Sequence, residues 1–264
     1  MAIETLARYP APQTDPPRPP RETLPTMYDL PSEDPEEPGL PDEFHYYQPQ
    51  LLRETFQPPA YPREQVFIAS DLNLYYSLRH PTWYKRPDWF AVLGVSRLYE
   101  GHELRLSYVV WQEEVVPYLV VELLSPGKEQ EDLGKTLRTV EEPPTKWTVY
   151  EHILRVPYYA VFSRYTDELH YFKLQGDRCE EIHPADQRLW LPAADLGLGL
   201  WQGVYQGMER RWLRFYTADG AWIPTPLEQG QSLLDQERQR AEQERQRAER
   251  LAAQLRALGI EPQE

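Results

Sequence analysis

One short apolar run constrains this chain more than any other feature, because a carboxylate lies inside it. Residues 118–124 read Tyr-Leu-Val-Val-Glu-Leu-Leu. A run that is apolar on both faces is typical of a strand covered on both sides. A carboxylate there is costly unless it pairs with a cation or binds a metal. Glu122 is therefore either the buried partner of a Lys or Arg, or a metal ligand.

A second carboxylate, Asp88, lies at the start of another predicted strand. It follows Pro87 and precedes the apolar segment Trp89–Leu93. Proline suits the first position of a strand and not its middle, so we expect Asp88 at a strand end. Taken alone, Pro-Asp is common in loops. Together with Glu122 on a neighbouring strand, Asp88 could bind one Mg²⁺ or Mn²⁺, since both ions prefer oxygen ligands.

The central part of the chain, residues 41–225, has the pattern of one folded domain. Apolar residues at mixed spacing predict a short helix over 41–56, and near-helical spacing predicts another over 145–156. The polar stretch 127–140 is also predicted to be helical. Short segments rich in β-branched and aromatic residues predict strands at 66–70, 72–78, 88–95, 107–111, 117–125, 158–164 and 168–174. This order indicates an α/β or α+β domain with a mixed sheet.

The N-terminal segment, residues 1–40, differs from this domain in composition. It is rich in Pro, Asp and Glu. We expect a disordered arm, because such a segment buries too little apolar surface to offset the entropy of ordering. A polyproline-type ligand for a partner protein is the alternative interpretation.

The C-terminal segment, residues 226–264, contains the repeat QERQRAE at 236–242 and 243–249. A coiled coil needs two apolar positions per heptad, and the second is occupied by Glu237 and Glu244. A charged helix in solvent, held by i,i+4 pairs, is therefore as well supported as a helix that forms a homodimer. The apolar residues that recur seven apart are Leu227, Leu234, Ala241, Ala248 and Leu255.

Composition excludes several classes of protein. The single cysteine, Cys179, excludes a disulfide framework and a cysteine-rich zinc site. No stretch approaches the roughly 20 apolar residues that span a membrane, and we see no secretory signal, so we expect a cytoplasmic protein with no membrane partner. The formal net charge of -14 argues against tight non-specific DNA binding, although it permits a local basic groove.

Five short motifs follow one another in the central part of the chain. They are Arg-Pro-Asp-Trp-Phe (86–90), Leu-Val-Val-Glu-Leu-Leu-Ser-Pro (119–126), Glu-Asp-Leu (131–133), Lys146-xxx-Tyr150 and Arg-Val-Pro-Tyr-Tyr-Ala-Val-Phe (155–162). In this order and spacing they resemble the Uma2 family, whose members are common in cyanobacteria. The resemblance covers roughly residues 65–225.

The resemblance implies a PD-(D/E)XK, restriction-endonuclease-like fold, with a mixed sheet flanked by helices and a metal at one sheet edge. It implies that Asp88 and Glu122 bind the metal. The position two beyond Glu122, where nucleases of this kind carry lysine, is Leu124. The family supplies its lysine from the next helix, where Lys146 matches. Because residues 137–145 are inserted before it, Lys135 remains a rival.

Three further residues are candidates for supporting roles. Ser125 precedes Pro126 and has the pattern of a helix N-cap. Asp132 is either an outer carboxylate of the site or an exposed helix residue. Tyr150 either orients Lys146, one helical turn away, or packs in the core.

The function implied by the resemblance is a metal-dependent endonuclease that hydrolyses phosphodiester bonds of DNA with Mg²⁺ or Mn²⁺. The alternative is a catalytically inactive nuclease fold that acts as a protein-interaction or oligomeric scaffold. The acidic net charge favours this alternative. Metal binding would distinguish the two hypotheses.

Overall fold

The structure is a computed structural model, and it describes Pro16, residues 42–124 and residues 143–257. The chain divides into two units, residues 1–46 and 47–264. In the first unit, Asp42 Oδ1 accepts a hydrogen bond from the backbone N of His45, at 3.1 Å. The arm predicted for residues 1–40 lies outside the described residues, apart from Pro16.

The second unit contains helices and strands. The helix predicted over 41–56 is confirmed as α1, Phe44–Thr55, which begins at the end of the first unit. The other α-helices are α2 (Val110–Glu113), α3 (Lys146–Thr148) and α4 (Pro226–Ala257). The strands are β1 (Val66–Ala69), β2 (Leu74–Tyr75), β3 (Tyr84–Lys85), β4 (Trp89–Leu93), β5 (Tyr108–Val109), β6 (Leu119–Leu123), β7 (Tyr158–Phe162), β8 (Leu169–Gln175), β9 (Arg178–Ile182), β10 (Leu189–Leu191), β11 (Leu196–Tyr205) and β12 (Met208–Tyr216).

A mixed six-stranded sheet forms the centre of the domain, in the order β1-β4-β6-β7-β8-β9. β6 and β7 pair in parallel, and the other neighbours pair antiparallel. Every residue of β6 and β7 is buried, as expected for strands covered on both faces. The mixed sheet and the α+β class predicted from the sequence are therefore confirmed.

Two smaller sheets, β3-β2-β5 and β10-β11-β12, complete the architecture. The strands predicted over 72–78 and 107–111 are much shorter than expected, because only β2 and β5 form within them. The second of these predictions also included Val110 and Trp111, which begin the helical turn α2 instead. Glu114 ends that turn in the left-handed region, at φ 56°.

The predicted helix over 145–156 is present but irregular. α3 continues directly into a π-helical turn, Val149–Ile153. The backbone N of Leu154 donates to the carbonyl O of Val149, at 2.8 Å, which is the i→i+5 bond of a π-turn. Single π-turns inside helices are frequent at functional sites, because they re-aim side chains over a short distance.

The C-terminal helix α4 begins with a capping box. Thr225 Oγ1 accepts from the backbone N of Glu228 at 3.3 Å, and Glu228 Oε2 accepts from the backbone N of Thr225 at 2.7 Å. No residue of α4 is buried. Within the parts of the chain that the structure describes, no helix is both long enough and apolar enough to cross a membrane.

Candidate metal and catalytic site

The register between β4 and β6 brings the two predicted carboxylates together. Trp89 pairs with Val121 in this antiparallel pair, so Asp88 lies opposite Glu122 one step further along. Residues that oppose each other in an antiparallel pair project from the same face. The backbone N of Leu123 donates to Asp88 Oδ2 at 2.6 Å, and the backbone N of Asp88 donates to Glu122 Oε2 at 3.3 Å.

Two side chains from the helical segment after residue 143 complete the cluster around Glu122. Lys146 Nζ lies 2.8 Å from Glu122 Oε2, and the Tyr150 hydroxyl donates to Glu122 Oε1 at 2.8 Å. Glu122 is fully buried, whereas the Lys146 side chain is 22% exposed. Both carboxylate oxygens of Glu122 therefore have partners. The Lys146 side chain lies between the buried carboxylate and solvent.

Burial dominates the electrostatics of Glu122. It raises the pKa of this carboxyl from 4.5 to about 7. The positive charge and hydrogen bond of Lys146 oppose the rise, while the nearby charge of Asp88 adds to it. A carboxyl with its pKa near neutrality, beside a second carboxylate, is the kind of group found at functional sites.

The local fold explains how Lys146 and Tyr150 reach the same carboxylate. Thr145 caps α3, since its Oγ1 accepts from the backbone N of Thr148 at 3.1 Å. Lys146 and Tyr150 are four residues apart, which places them on one face of the helical segment. Tyr150 lies inside the π-turn and is almost completely buried. The segment is thus anchored at its start and inserted into the core one turn later.

A buried carboxylate that the sequence analysis did not single out, Glu151, attaches this segment to the edge of the central sheet. Glu151 Oε2 accepts from Trp147 Nε1 at 2.9 Å, and Oε1 accepts from the backbone N of Cys179, in β9, at 2.7 Å. In the sequence, the one indication of a buried role for Glu151 was its position as an acidic residue within an apolar helical pattern. Its partner on β9 is 28 residues away, so no local pattern could identify the contact.

Of the residues predicted for the site, the structure brings together Asp88, Glu122, Lys146 and Tyr150. The remaining predicted residues, Ser125, Asp132 and Lys135, lie outside the described residues. The ion pair of Glu122 with Lys146 agrees with both interpretations of a buried glutamate, since a structural pair and a nuclease site would each place a cation there. Tyr150 was expected to orient Lys146 or to pack in the core. It is buried, and its hydroxyl donates to Glu122.

Two basic residues, Lys85 and Arg86, precede Pro87 and Asp88 in the chain. Lys85 is buried, so its side chain is not presented to a ligand at the surface. Arg86 is exposed, and its Nε donates to Asn73 Oδ1 at 3.0 Å and lies 3.6 Å from Asp71 Oδ1. Of these two basic residues, Arg86 is the one whose side chain is open to solvent.

The donor set around Asp88 and Glu122 fits a Mg²⁺ or Mn²⁺ ion. Magnesium is usually bound by one or two carboxylates, with water and substrate oxygens as its other ligands. Over residues 42–124 and 143–257, no cluster of three or more His, Cys, Asp or Glu side chains is placed to hold a metal. A two-carboxylate site, completed by water and substrate, is thus the arrangement that these residues can provide.

Comparison with models of known protein families gives a match. The family model for Uma2, described as "putative restriction endonuclease", matches residues 21–206, which is more than half of the chain. The match begins inside the Pro-rich segment and ends at residue 206, in the turn between β11 and β12. No curated protein matches the chain.

Proposed function

This chain belongs to the Uma2 family, and from that membership and the cluster around Glu122 we propose that it is a metal-dependent endonuclease that hydrolyses phosphodiester bonds of DNA. The observation that carries the proposal is the convergence of Asp88, Glu122 and Lys146 at the ends of two buried strands. Two carboxylates can bind a metal ion and an ammonium group can stabilise developing negative charge, and both contributions promote phosphodiester hydrolysis.

Asp88 and Glu122 would hold the ion, since the register of β4 and β6 places the two residues opposite each other. When bound, a divalent cation supplies Lewis-acid chemistry, because it lowers the pKa of a coordinated water and polarises the scissile phosphate. The chain itself provides preorganisation. The backbone N of Leu123 holds Asp88, and the Tyr150 hydroxyl holds Glu122 by its Oε1, which limits the movement of both carboxylates.

Lys146 has the position and the exposure for a role in the reaction. Its Nζ is held at Glu122 Oε2 and remains partly open to solvent. An ammonium group there can position the attacking water or stabilise the negative charge that develops on the phosphate. Lys135, which lies outside the described residues, stays the alternative for this role.

The proposal is tested by cleavage of supercoiled DNA with Mg²⁺ and with a chelator. We expect the wild type to cleave only with the metal, and Asp88→Ala and Glu122→Gln to lose at least about a hundredfold in rate, since metal catalysis contributes several kcal/mol. Glu180→Gln, an exposed glutamate of β9, is the matched control and should keep full activity. Equal background cleavage by wild type and Asp88→Ala would refute an active enzyme.

A second candidate function, a catalytically inactive nuclease fold that serves as an interaction scaffold, is favoured by two observations. Both oxygens of Glu122 already accept hydrogen bonds from protein groups, and the net charge is strongly negative. Calorimetry with Mn²⁺ separates the candidates. The nuclease hypothesis expects one site in the wild type that Glu122→Gln loses, and the scaffold hypothesis expects no binding to either protein.

A further inference from the structure

The small sheet β3-β2-β5 has two faces of different character. Its inner face consists of Leu74, Lys85 and Tyr108, which are all buried. Its outer face carries Tyr75 and Tyr84, which are direct cross-strand partners. Because the inner face is packed in the core, the sheet holds its outer side chains in fixed positions.

The outer face continues onto α2 as a group of three aromatic rings, Tyr75, Tyr84 and Trp111, which we call the aromatic face. The ring of Tyr75 lies 5.5 Å from that of Tyr84 and 6.4 Å from that of Trp111. Tyr84 is 43% exposed, and Tyr75 and Trp111 are half-buried. Solvent therefore reaches all three aromatic side chains.

The aromatic face is directly connected to the candidate site along the chain. Only Lys85, Arg86 and Pro87 separate Tyr84 from Asp88. Four residue steps of extended chain span at most about 14 Å. A nucleotide strand rises about 3.4 Å per base when stacked and more when extended, so a base at Tyr84 lies within a few nucleotides of a phosphate at Asp88.

Acidic and basic side chains near the aromatic face nearly balance. Arg79 and Arg86 are exposed on the same stretch of chain, opposed there by Asp71. On α2, Glu113 forms an ion pair with Arg105 and Glu114 is exposed. Two arginines are too few for tight binding through phosphates alone, so most of the affinity has to come from contacts with the bases.

We propose that the aromatic face binds unpaired nucleotides of the substrate beside the catalytic site, by stacking bases on Tyr84 and Trp111. This inference rests on the proposed nuclease function, which it deepens by naming the form of the substrate. Aromatic rings stack any base, so the contact requires no sequence preference. Bases are available for stacking only where they are unpaired, so single-stranded or frayed DNA is preferred over intact duplex.

Binding is measured by fluorescence anisotropy of a labelled short oligothymidylate with the full chain, in a chelator that prevents hydrolysis. We expect Tyr84→Ala and Trp111→Ala to weaken binding by about fivefold to about 150-fold, the range that base stacking on an aromatic ring supplies. Tyr84→Phe keeps the ring and should bind like the wild type. Tyr46→Ala, which removes an exposed tyrosine of α1, is the matched control.

Salt dependence gives a second and independent measure. Two phosphate contacts with single-stranded DNA predict that the logarithm of the binding constant falls by only about 1.4 per tenfold increase in salt. A much steeper dependence, together with full affinity in Tyr84→Ala, would mean that phosphates and not bases are bound, and would overturn the inference. A change in sedimentation of Tyr84→Ala with unchanged oligonucleotide binding would identify a protein interface and overturn it as well.

The two proposals fail separately. If the wild type cleaves DNA while Tyr84→Ala and Trp111→Ala bind oligothymidylate normally, the aromatic face has no such role and the nuclease proposal stands. If the wild type binds oligothymidylate through Tyr84 but never cleaves, the aromatic face is supported and hydrolysis is refuted.

Discussion

Ion pairs in two regions of this protein have almost the same distance between the charged atoms, but the side chains differ in burial. In the core, Lys146 Nζ lies 2.8 Å from Glu122 Oε2, and the glutamate is fully buried. On α4, Arg240 Nη1 lies 3.0 Å from Glu237 Oε1, and both side chains are 70% exposed. The comparison shows that distance alone does not tell what an ion pair contributes.

Solvent accounts for the difference between the two regions. On α4, water solvates each charge whether or not the pair forms, so such pairs contribute little to stability. Around Glu122, ionisation without Lys146 would leave an uncompensated charge in a low-dielectric core. The buried cluster therefore has to keep all of its partners in place, and that requirement makes it suited to hold an ion and a reacting group in a fixed geometry.

The largest effect is expected from removing the cation of the buried pair. In a chelator at about pH 8, Lys146→Met should lower the free energy of unfolding by about 3 kcal/mol, the lower end of the cost of breaking a buried pair. Lys146→Arg keeps the charge and should cost less. Denaturant unfolding of the three proteins measures the difference.

The direction of the pH dependence follows from the raised pKa of Glu122. A carboxyl with its pKa raised from 4.5 to about 7 stabilises the fold fully below about pH 4.5, and this stability is lost as the pH rises to about 7. Lys146→Met raises the pKa further, so its cost should be small at about pH 5 and large at about pH 8. The double variant Glu122→Gln/Lys146→Met should lose this pH dependence. An equal cost at both pH values would contradict the electrostatic account.

An intermediate effect is expected from removing one hydrogen bond to the buried carboxylate. Tyr150→Phe leaves Glu122 Oε1 without its hydroxyl donor and should cost about 1.5 to 3 kcal/mol of unfolding free energy. Tyr108→Phe is the matched control, because Tyr108 is also buried but donates to the neutral carbonyl of Val115 at 2.7 Å. It should cost about 1 kcal/mol.

The losses in unfolding free energy of these two tyrosine variants can be compared directly. The side-chain volume changes little in either, so the difference in unfolding free energy reports the charge of the acceptor. Equal losses for Tyr150→Phe and Tyr108→Phe at about pH 8 would mean that Glu122 is not ionised there, and would weaken its assignment as a metal ligand.

The two regions also differ in how far the sequence predicts them. Apolar segments were sufficient to locate β4, β6 and β7, because a strand buried on both faces consists of consecutive apolar residues. The repeat QERQRAE was likewise sufficient to predict a charged helix in the C-terminal segment. The contact of Asp88 with Glu122 depends on the register of strands more than 30 residues apart, and the resemblance to a family, not local pattern, suggested it.

Other features of the site could not be predicted because they depend on tertiary packing. The i→i+5 bond that aims Tyr150 at Glu122 has no distinct sequence pattern. The strand predicted over 107–111 ends early at Val109, since α2 begins at Val110. The aromatic face likewise requires the pairing of β2 with β3, which places Tyr75 beside Tyr84.

The smallest effect is expected from shortening the exposed helix. Removal of residues 236–264 deletes both copies of the repeat and keeps the Thr225–Glu228 capping box and the pair of Arg214 with Glu228. Because no residue of α4 is buried, the unfolding temperature should be unchanged within error, while the helical signal in circular dichroism falls. Sedimentation of both chains tests, at the same time, the alternative that the helix forms a homodimer. If the shortened chain unfolds at a lower temperature and changes from dimer to monomer, α4 packs against a second copy of the chain. Its ion pairs would then be buried in an interface, as the pair of Glu122 with Lys146 is buried in the core.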